Sequence, residues 1–208
     1  MPDQASKSDN LFAYLEYLID NEIDPLDREE EIWARYGRTV TVLVLDSSGF
    51  SRVSEIHGVL HFLSRLVLMR RVVERVMSDN KAAEIHFEAD NVIAVFAHPD
   101  DAIQAALVCH QLIAREGIML TADEPFQVCI GIGHGAMLHS ETLEGYFAKE
   151  MNFASKLGED TANGGETLIT QSAYARASVK HQDKFTIDCT QVSGLDLTYY
   201  RYSSTTTD

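Results

Sequence analysis

An α+β fold with a ferredoxin-like β-α-β-β-α-β core is predicted by three features of the 208-residue sequence. A continuous apolar run, TVTVLVLD from Thr39, reads as a central strand buried on both faces. Two short alternating segments, AEIHFE and NVIAVFA, are separated only by Ala89 and Asp90 and read as a hairpin. Amphipathic stretches precede and follow that hairpin, which gives the strand and helix order of the ferredoxin-like class.

Residues 1–38 stand apart as an N-terminal helical segment, with Leu11, Leu15 and Leu18 at helical spacing, a break at Pro25, and a second short helix carrying Ile32 and Trp33. The main domain is expected over residues 39–208. After its first strand comes SSGFS, then a long helix from about Val53 to Met77 with Ile56, Leu60, Leu63 and Val67 as the apolar stripe. Arg65, Arg70, Arg71 and Arg75 make its solvated side. Pro99 and Asp100 open the second core helix and Gly117 stops it. FQVCIGIGHG is the next strand, continuing to about His139. A helix from about Phe147 to Leu157, closed by Gly158, precedes the extra elements: strand ETLIT, a short helix QSAYARAS, and the strands KFTIDCTQ and LTYYRYS.

Composition narrows the functional classes. With 45% hydrophobic and 24% charged residues the chain is globular, and its 17 basic against 32 acidic side chains give a net charge of −15. Such a surface repels nucleic acid and anionic membranes, so neither is expected as a partner. Residues 1–38 alone hold 10 acidic and 4 basic side chains. Cys109, Cys129 and Cys189 are an odd, widely spaced set that fits reduced thiols in a cytoplasmic protein. The start MPDQASKSDN has no apolar core of a signal peptide, and no apolar run is long enough for a membrane span.

Two constellations carry chemistry. Asp46, at the end of the first strand, and Asp90, at the hairpin tip, are placed side by side by this topology. Paired hard carboxylates suit magnesium together with phosphate oxygens, and the turn Ser48, Gly49, Phe50 leads into a helix whose amides and dipole can receive phosphate. Taken alone, aspartates at strand ends are more often turn residues. The second constellation is the helix FAKEMNFASKL, where Lys149, Asn152 and Lys156 share a face. A solvated face is the plain reading, but asparagine is a poor helix-interior residue and is better explained by a ligand or a backbone contact.

Together these segments resemble the class III nucleotidyl cyclases, over about Thr39 to Arg201. LDSSGFS resembles the family's first metal aspartate and phosphate turn, EADNVIAVF the hairpin with the second, and MNFASKLGED the helix that contacts ribose and phosphate. The resemblance implies a phosphorus–oxygen lyase making a 3′,5′-cyclic nucleotide and pyrophosphate from ATP or GTP. It implies that Asp46, the carbonyl of Ser47, and Asp90 hold two Mg2+ or Mn2+ ions per site. It implies that Asn152 orients the ribose and that Lys156 stands where active members usually carry arginine. The two halves come from opposite subunits in this family, so a homodimer with sites at its interface is implied.

The sequence also departs from the family pattern. Lys156 lacks the planar fork of arginine. Ala89 replaces the glycine that normally precedes the second aspartate. No lysine or arginine lies between Phe185 and Tyr200 to meet the terminal phosphates, unless Lys149 or Lys184 compensates. The resemblance implies that the base-selecting positions are His86 and Gly145, with Glu88 on the same strand face as His86. They leave ATP and GTP open. A catalytically degenerate homology domain, binding nucleotide or dimerising to regulate a partner, is the alternative that these departures favour. His57 and His61 lack a third metal ligand and read as ordinary histidines. Gly131, Gly133 and Gly135 read as strand glycines that permit close packing.

Overall fold

The computed structural model describes residues 10–141, 145–192 and 195–204. Two helices, α1 (Leu11–Asp20) and α2 (Glu29–Tyr36), precede β1 (Gly37–Ser47). Asn10 caps α1 by accepting hydrogen bonds from the amides of Phe12 and Ala13. Leu11, Tyr14, Leu18, Ile32 and Tyr36 form their shared core, against which Leu138 of the main sheet packs.

The core follows in the expected order: α3 (Phe50–His57) and α4 (Val59–Asp79), the hairpin β2 (Glu84–Glu88) and β3 (Asn91–Phe96), α5 (Pro99–Arg115), and β4 (Val128–Ser140). After β5 (Gly145–Phe147) come α6 (Lys149–Ser155), β6 (Glu166–Thr170), α7 (Gln171–Arg176), α8 (Val179–Gln182), β7 (Thr186–Val192) and β8 (Leu195–Ser203). One sheet runs β2-β3-β1-β4-β6-β8-β7, with β5 paired to β4. Its first four strands have the ferredoxin-like order. Val42, Leu43, Val44 and Leu45 are fully buried, as a central strand covered on both faces requires. On one face Leu43, Leu45, Ala94, Phe96, Ile130 and Ile132 pack against α4 and α5. On the other, Val42, Val44, Val95 and Met137 pack against Ala154 of α6. Among the described residues, no helix is long and apolar enough to cross a membrane.

Three sequence expectations are corrected. The long helix is two helices, broken at Gly58, whose φ of 87° lies where only glycine rests without strain. Its buried residues are Val53, Phe62, Leu66, Met69, Val72, Val73, Val76 and Met77, whereas Ile56, Leu60, Leu63 and Val67 are exposed. The helix is apolar on two faces, and the stripe read from spacing is the outer one. Finally, Gly158 does not close α6: the chain continues through a wide π-type turn, Lys156–Thr161. Gly158 is buried there because a side chain would meet the Val44 carbonyl at 2.8 Å and the Gly131 amide at 2.9 Å.

Candidate active site at the ends of β1 and the β2–β3 hairpin

β1 leaves the core with Asp46 half-buried and Ser47 buried. The Asp46 carboxylate accepts from the Ser47 amide at 2.8 Å, while the Ser47 hydroxyl donates to Asp90 at 2.9 Å. One serine thus ties the two aspartates together across 44 residues of sequence separation between Asp46 and Asp90. Burial, then the neighbouring Asp90 charge, push the Asp46 carboxyl up to about 6, and Glu159 and Asp160 add to the rise. A cation between these carboxylates would relieve that repulsion.

An open cleft here is lined by Asp46, Ser47, Gly49, Phe50, Ser51, Arg52 and Asp90. Gly49, at φ 93°, turns the chain into α3, whose first-turn amides have no intrahelical acceptors. The Ser48 amide departs from expectation, because it donates to the Gln127 carbonyl at 3.1 Å and is already used. Gly49 and Phe50 remain in the cleft. Arg52 is a cation in this cleft that sequence reasoning passed over; it pairs with Glu124 at 2.5 Å. Its position six residues after Asp46, on the first turn of the helix, was the available signal.

The hairpin tip is held from two sides. Glu88 pairs with Asn91, leaving Ala89 and Asp90 as a two-residue turn. Ala89 has φ 49°, a left-handed conformation that costs a residue with a β-carbon about 1–2 kcal/mol. Arg70 of α4, expected on a solvated side, is half-buried and donates to the Ala89 carbonyl.

The second constellation lies close by. A side chain at Gly131 would meet the Ala154 carbonyl at 2.0 Å, and one at Gly133 the Glu150 carbonyl at 2.5 Å, so α6 rests directly on the β4 backbone. The strand glycines act as the sequence suggests. This packing carries the π-type turn to the aspartates: the Glu159 carboxyl is raised by burial and then by Asp160, with Glu88 and Asp90 contributing. Glu159 was not foreseen, because the turn that delivers it depends on tertiary packing. Lys156 donates to Asp160 at 2.7 Å. Asn152 is exposed, and its side chain has no hydrogen-bond partner among the described residues. Lys149 sits 5.0 Å from the Phe153 ring, beside a separate cleft with Glu150 and Ser172. Neither Asn152 nor Lys156 lines the Asp46–Asp90 cleft of its own chain.

Of the base-selecting candidates, Glu88 flanks the hairpin turn beside Asp90, whereas His86 and Gly145 lie farther from the tip. His86 faces Glu84 at 3.3 Å, and the Tyr146 hydroxyl donates to Glu84 at 2.7 Å, linking β2 to β5, where Gly145 pairs with Ser140. Glu84 is held below the usual carboxylate range: these bonds, with His139 and His86, outweigh its burial. Glu88 is exposed. His61 is bonded to the Leu120 carbonyl at 2.8 Å, and no cluster of three or more metal-ligating side chains occurs among the described residues. A divalent ion at Asp46 and Asp90 would therefore draw its remaining ligands from backbone carbonyl, water and substrate oxygens, which is the mode magnesium favours.

No protein-family model matches the chain. No curated protein matches it either. Solved structures do. An adenylate/guanylate cyclase/hydrolase from Silicibacter pomeroyi superposes with a TM-score of 0.66 at 20% identity, over 81% of this chain and 98% of that one. An adenylate cyclase from Trypanosoma brucei gives 0.64 at 17% identity, over 78% and 88%. The guanylate cyclase domain of RhGC from Catenaria anguillulae, solved in complex with GTP, gives 0.62 at 18% identity, over 79% and 96%. This chain thus has the fold of adenylate and guanylate cyclase catalytic domains.

Proposed function

We propose that this chain is a class III purine nucleotide cyclase, a lyase converting ATP or GTP to the 3′,5′-cyclic nucleotide and pyrophosphate in the cytoplasm, for signalling. Residues 39–208 form its catalytic domain, preceded by an N-terminal segment whose helices α1 and α2 pack against Leu138 of β4. The observation that carries this reading is the Ser47-tied pair of Asp46 and Asp90, set beside the open start of α3 on a cyclase fold. Among the described residues neither carboxylate pairs with a cation, and burial has already raised the Asp46 carboxyl. A purely structural pair would not be left in that state.

Asp46, the Ser47 carbonyl and Asp90 hold two Mg2+ or Mn2+ ions. Such ions supply charge neutralisation of the triphosphate and ease removal of the proton from the ribose 3′-hydroxyl. The amides of Gly49, Phe50 and the rest of the first turn of α3 receive phosphate oxygens, aided by the helix dipole. Arg52 exchanges Glu124 for phosphate and makes good the cation missing between Phe185 and Tyr200. Asn152 orients the ribose, and Lys156, released from Asp160, stabilises charge on the transferring phosphoryl group. His86, Gly145 and Glu88 face the base, with Tyr146 and Glu84 fixing His86.

Asn152 and Lys156 are absent from the cleft of their own chain, which supports a site completed by a second copy. A homodimer then carries two such sites, each with the aspartates of one copy and α6 of the other.

The test is chromatographic product analysis after separate incubation with ATP and GTP, each with Mg2+ and with Mn2+. A cyclic product from one nucleotide, abolished in Asp46→Ala and Asp90→Ala, is expected. Mixing Asp90→Ala with Lys156→Ala chains should restore part of the activity, because one of the two composite sites is then intact. No product from a dimer that still binds nucleotide would overturn the enzyme and leave the regulatory homology domain.

A further inference from the structure

We infer that Arg70 is a positioning residue that holds the Asp90-bearing hairpin tip in its working conformation, standing in for the glycine that the backbone there calls for. The inference rests on the reading of Asp90 as a metal-binding group, but its structural half does not.

Three observations carry it. Ala89 is the first of the two turn residues between Glu88 and Asn91, and its φ of 49° is a conformation that an L-residue with a β-carbon adopts only when its surroundings hold it there. Two-residue hairpins favour glycine at such positions. The Arg70 guanidinium donates through Nη2 to the carbonyl of Ala89 itself. Its Cζ lies over the Phe87 ring, 5.0 Å from the centroid, a cation–π contact that ties the side chain to the strand leading into the turn.

Arg70 therefore joins α4, a core helix anchored by Met69 and Val73, to the peptide that immediately precedes Asp90. On the far side of that residue the Ser47 hydroxyl fixes the carboxylate. The tip is clamped between these two bonds. Without Arg70 the left-handed Ala89 loses its external support, and the peptide is free to relax to negative φ, which turns Asp90 away from Asp46. Arg70 touches neither substrate nor metal in this scheme; it acts through the geometry of the turn.

The prediction separates this role from general stabilisation through a double-mutant cycle with Ala89→Gly, because glycine reaches the same φ without strain and removes the need for a strap. In the full-length, metal-free chain, Arg70→Met should speed amide exchange of the segment 88–91 by about fivefold or more, while β4 and α5 stay protected. In turnover assays the same variant should raise the Mn2+ concentration for half-maximal activity by about fivefold, with a smaller effect on kcat at saturating metal. In the Ala89→Gly background, Arg70→Met should change that metal requirement by less than about twofold.

Unchanged exchange at 88–91 in Arg70→Met overturns the inference, as does an equal rise in metal requirement in both backgrounds. If the wild-type chain makes no cyclic product, the function reading fails. The exchange experiment and Mn2+ binding, followed by the free-ion paramagnetic resonance signal, then still decide the role of Arg70.

Discussion

Replacing Asp46 by asparagine should stabilise the metal-free protein while removing its activity. The Asp46 carboxyl is raised from 3.8 to about 6, first by burial and then by Asp90, so at neutral pH the folded state holds an anion that the unfolded state holds more comfortably. At 1.36 kcal/mol per pH unit the rise corresponds to a ceiling of roughly 3 kcal/mol, and solvent screening at this half-exposed site reduces it to about 1.5 kcal/mol. Asparagine keeps the oxygen that accepts from the Ser47 amide and removes the charge. The folded pKa lies above the unfolded one, so the destabilisation is fully present above about pH 6 and fades as pH falls towards 4. In EDTA at pH 7.5 the Asp46→Asn variant should melt about 3–6 °C above wild type, and roughly a third of the difference should remain at pH 4.5. Millimolar Mn2+ should raise the wild-type midpoint and leave the variant nearly unmoved. Scanning calorimetry at the two pH values checks both statements. A variant no more stable than wild type in EDTA at pH 7.5, or an advantage that does not shrink with acid, would refute the electrostatic account of the site.

Three further outcomes follow from the same geometry. Gly131→Ala drives a methyl group into the Ala154 carbonyl and the Gly158 amide, both backbone atoms, and should cost about 3 kcal/mol in urea unfolding while lowering activity through displacement of α6. Arg201 donates through Nη1 to both carboxylate oxygens of Glu166, at 2.6 and 2.7 Å, and through Nη2 to Asp188 at 2.9 Å. Arg201→Met should therefore destabilise by roughly 2 kcal/mol, less than for a fully buried pair because 26% of the Arg201 side chain is exposed. Glu166 is held below the usual carboxylate range by the Asn163 amide and Arg201, which outweigh its burial. The contribution of the pair is then present at neutral pH and lost as pH falls through the folded value, so urea titrations of wild type and Arg201→Met should converge in acid. Glu124→Gln releases Arg52 from its ion pair and should lower KM for the nucleotide with kcat unchanged; a KM equal to wild type would remove Arg52 from the phosphate site.

The fold was legible wherever burial alone dictates the pattern. TVTVLVLD announces β1 because both faces of that strand are covered, and AEIHFE with NVIAVFA announces the hairpin because only two residues separate them. α4 was read in the wrong phase for a physical reason: Ile56, Leu60, Leu63 and Val67 have the same spacing as Phe62, Leu66, Met69 and Val73, and spacing does not say which stripe faces the sheet. The π-type turn was illegible because no local signal requires it; it arises where Gly158 meets the backbones of β1 and β4. Asp46, Ser47 and Asp90 could be named from strand ends and resemblance. Arg52 carries a signal in its place six residues after Asp46, but Arg70 and Glu159 carry none, since each reaches the site by side-chain length or by packing of distant segments. The Ser48 amide was misjudged for the same reason, its acceptor being Gln127 some eighty residues away.

The chain's excess of acidic side chains extends to its site. Asp46, Asp90, Glu159 and Asp160 converge at the end of β1, and the Asp46 and Glu159 carboxyls are raised while Lys156 is held by Asp160. The metal-free chain thus keeps its nearby lysine occupied with local carboxylates. Divalent ions at Asp46 and Asp90 would lower the local negative potential on both sides of the turn, weakening the hold of Asp160 on Lys156 less than they relieve Asp46, because Lys156 and Asp160 lie at the more solvated edge. Loading the aspartates and freeing Lys156 are then separate electrostatic events, the second needing phosphate to compete for the ammonium. Asp160→Asn tests mainly that second event: it should raise turnover at limiting nucleotide with only a small change in the metal requirement, because Asp160 is the smallest of the contributions to the Asp46 rise. Unchanged turnover with a large shift in the metal requirement would mean that Asp160 acts chiefly on the aspartates.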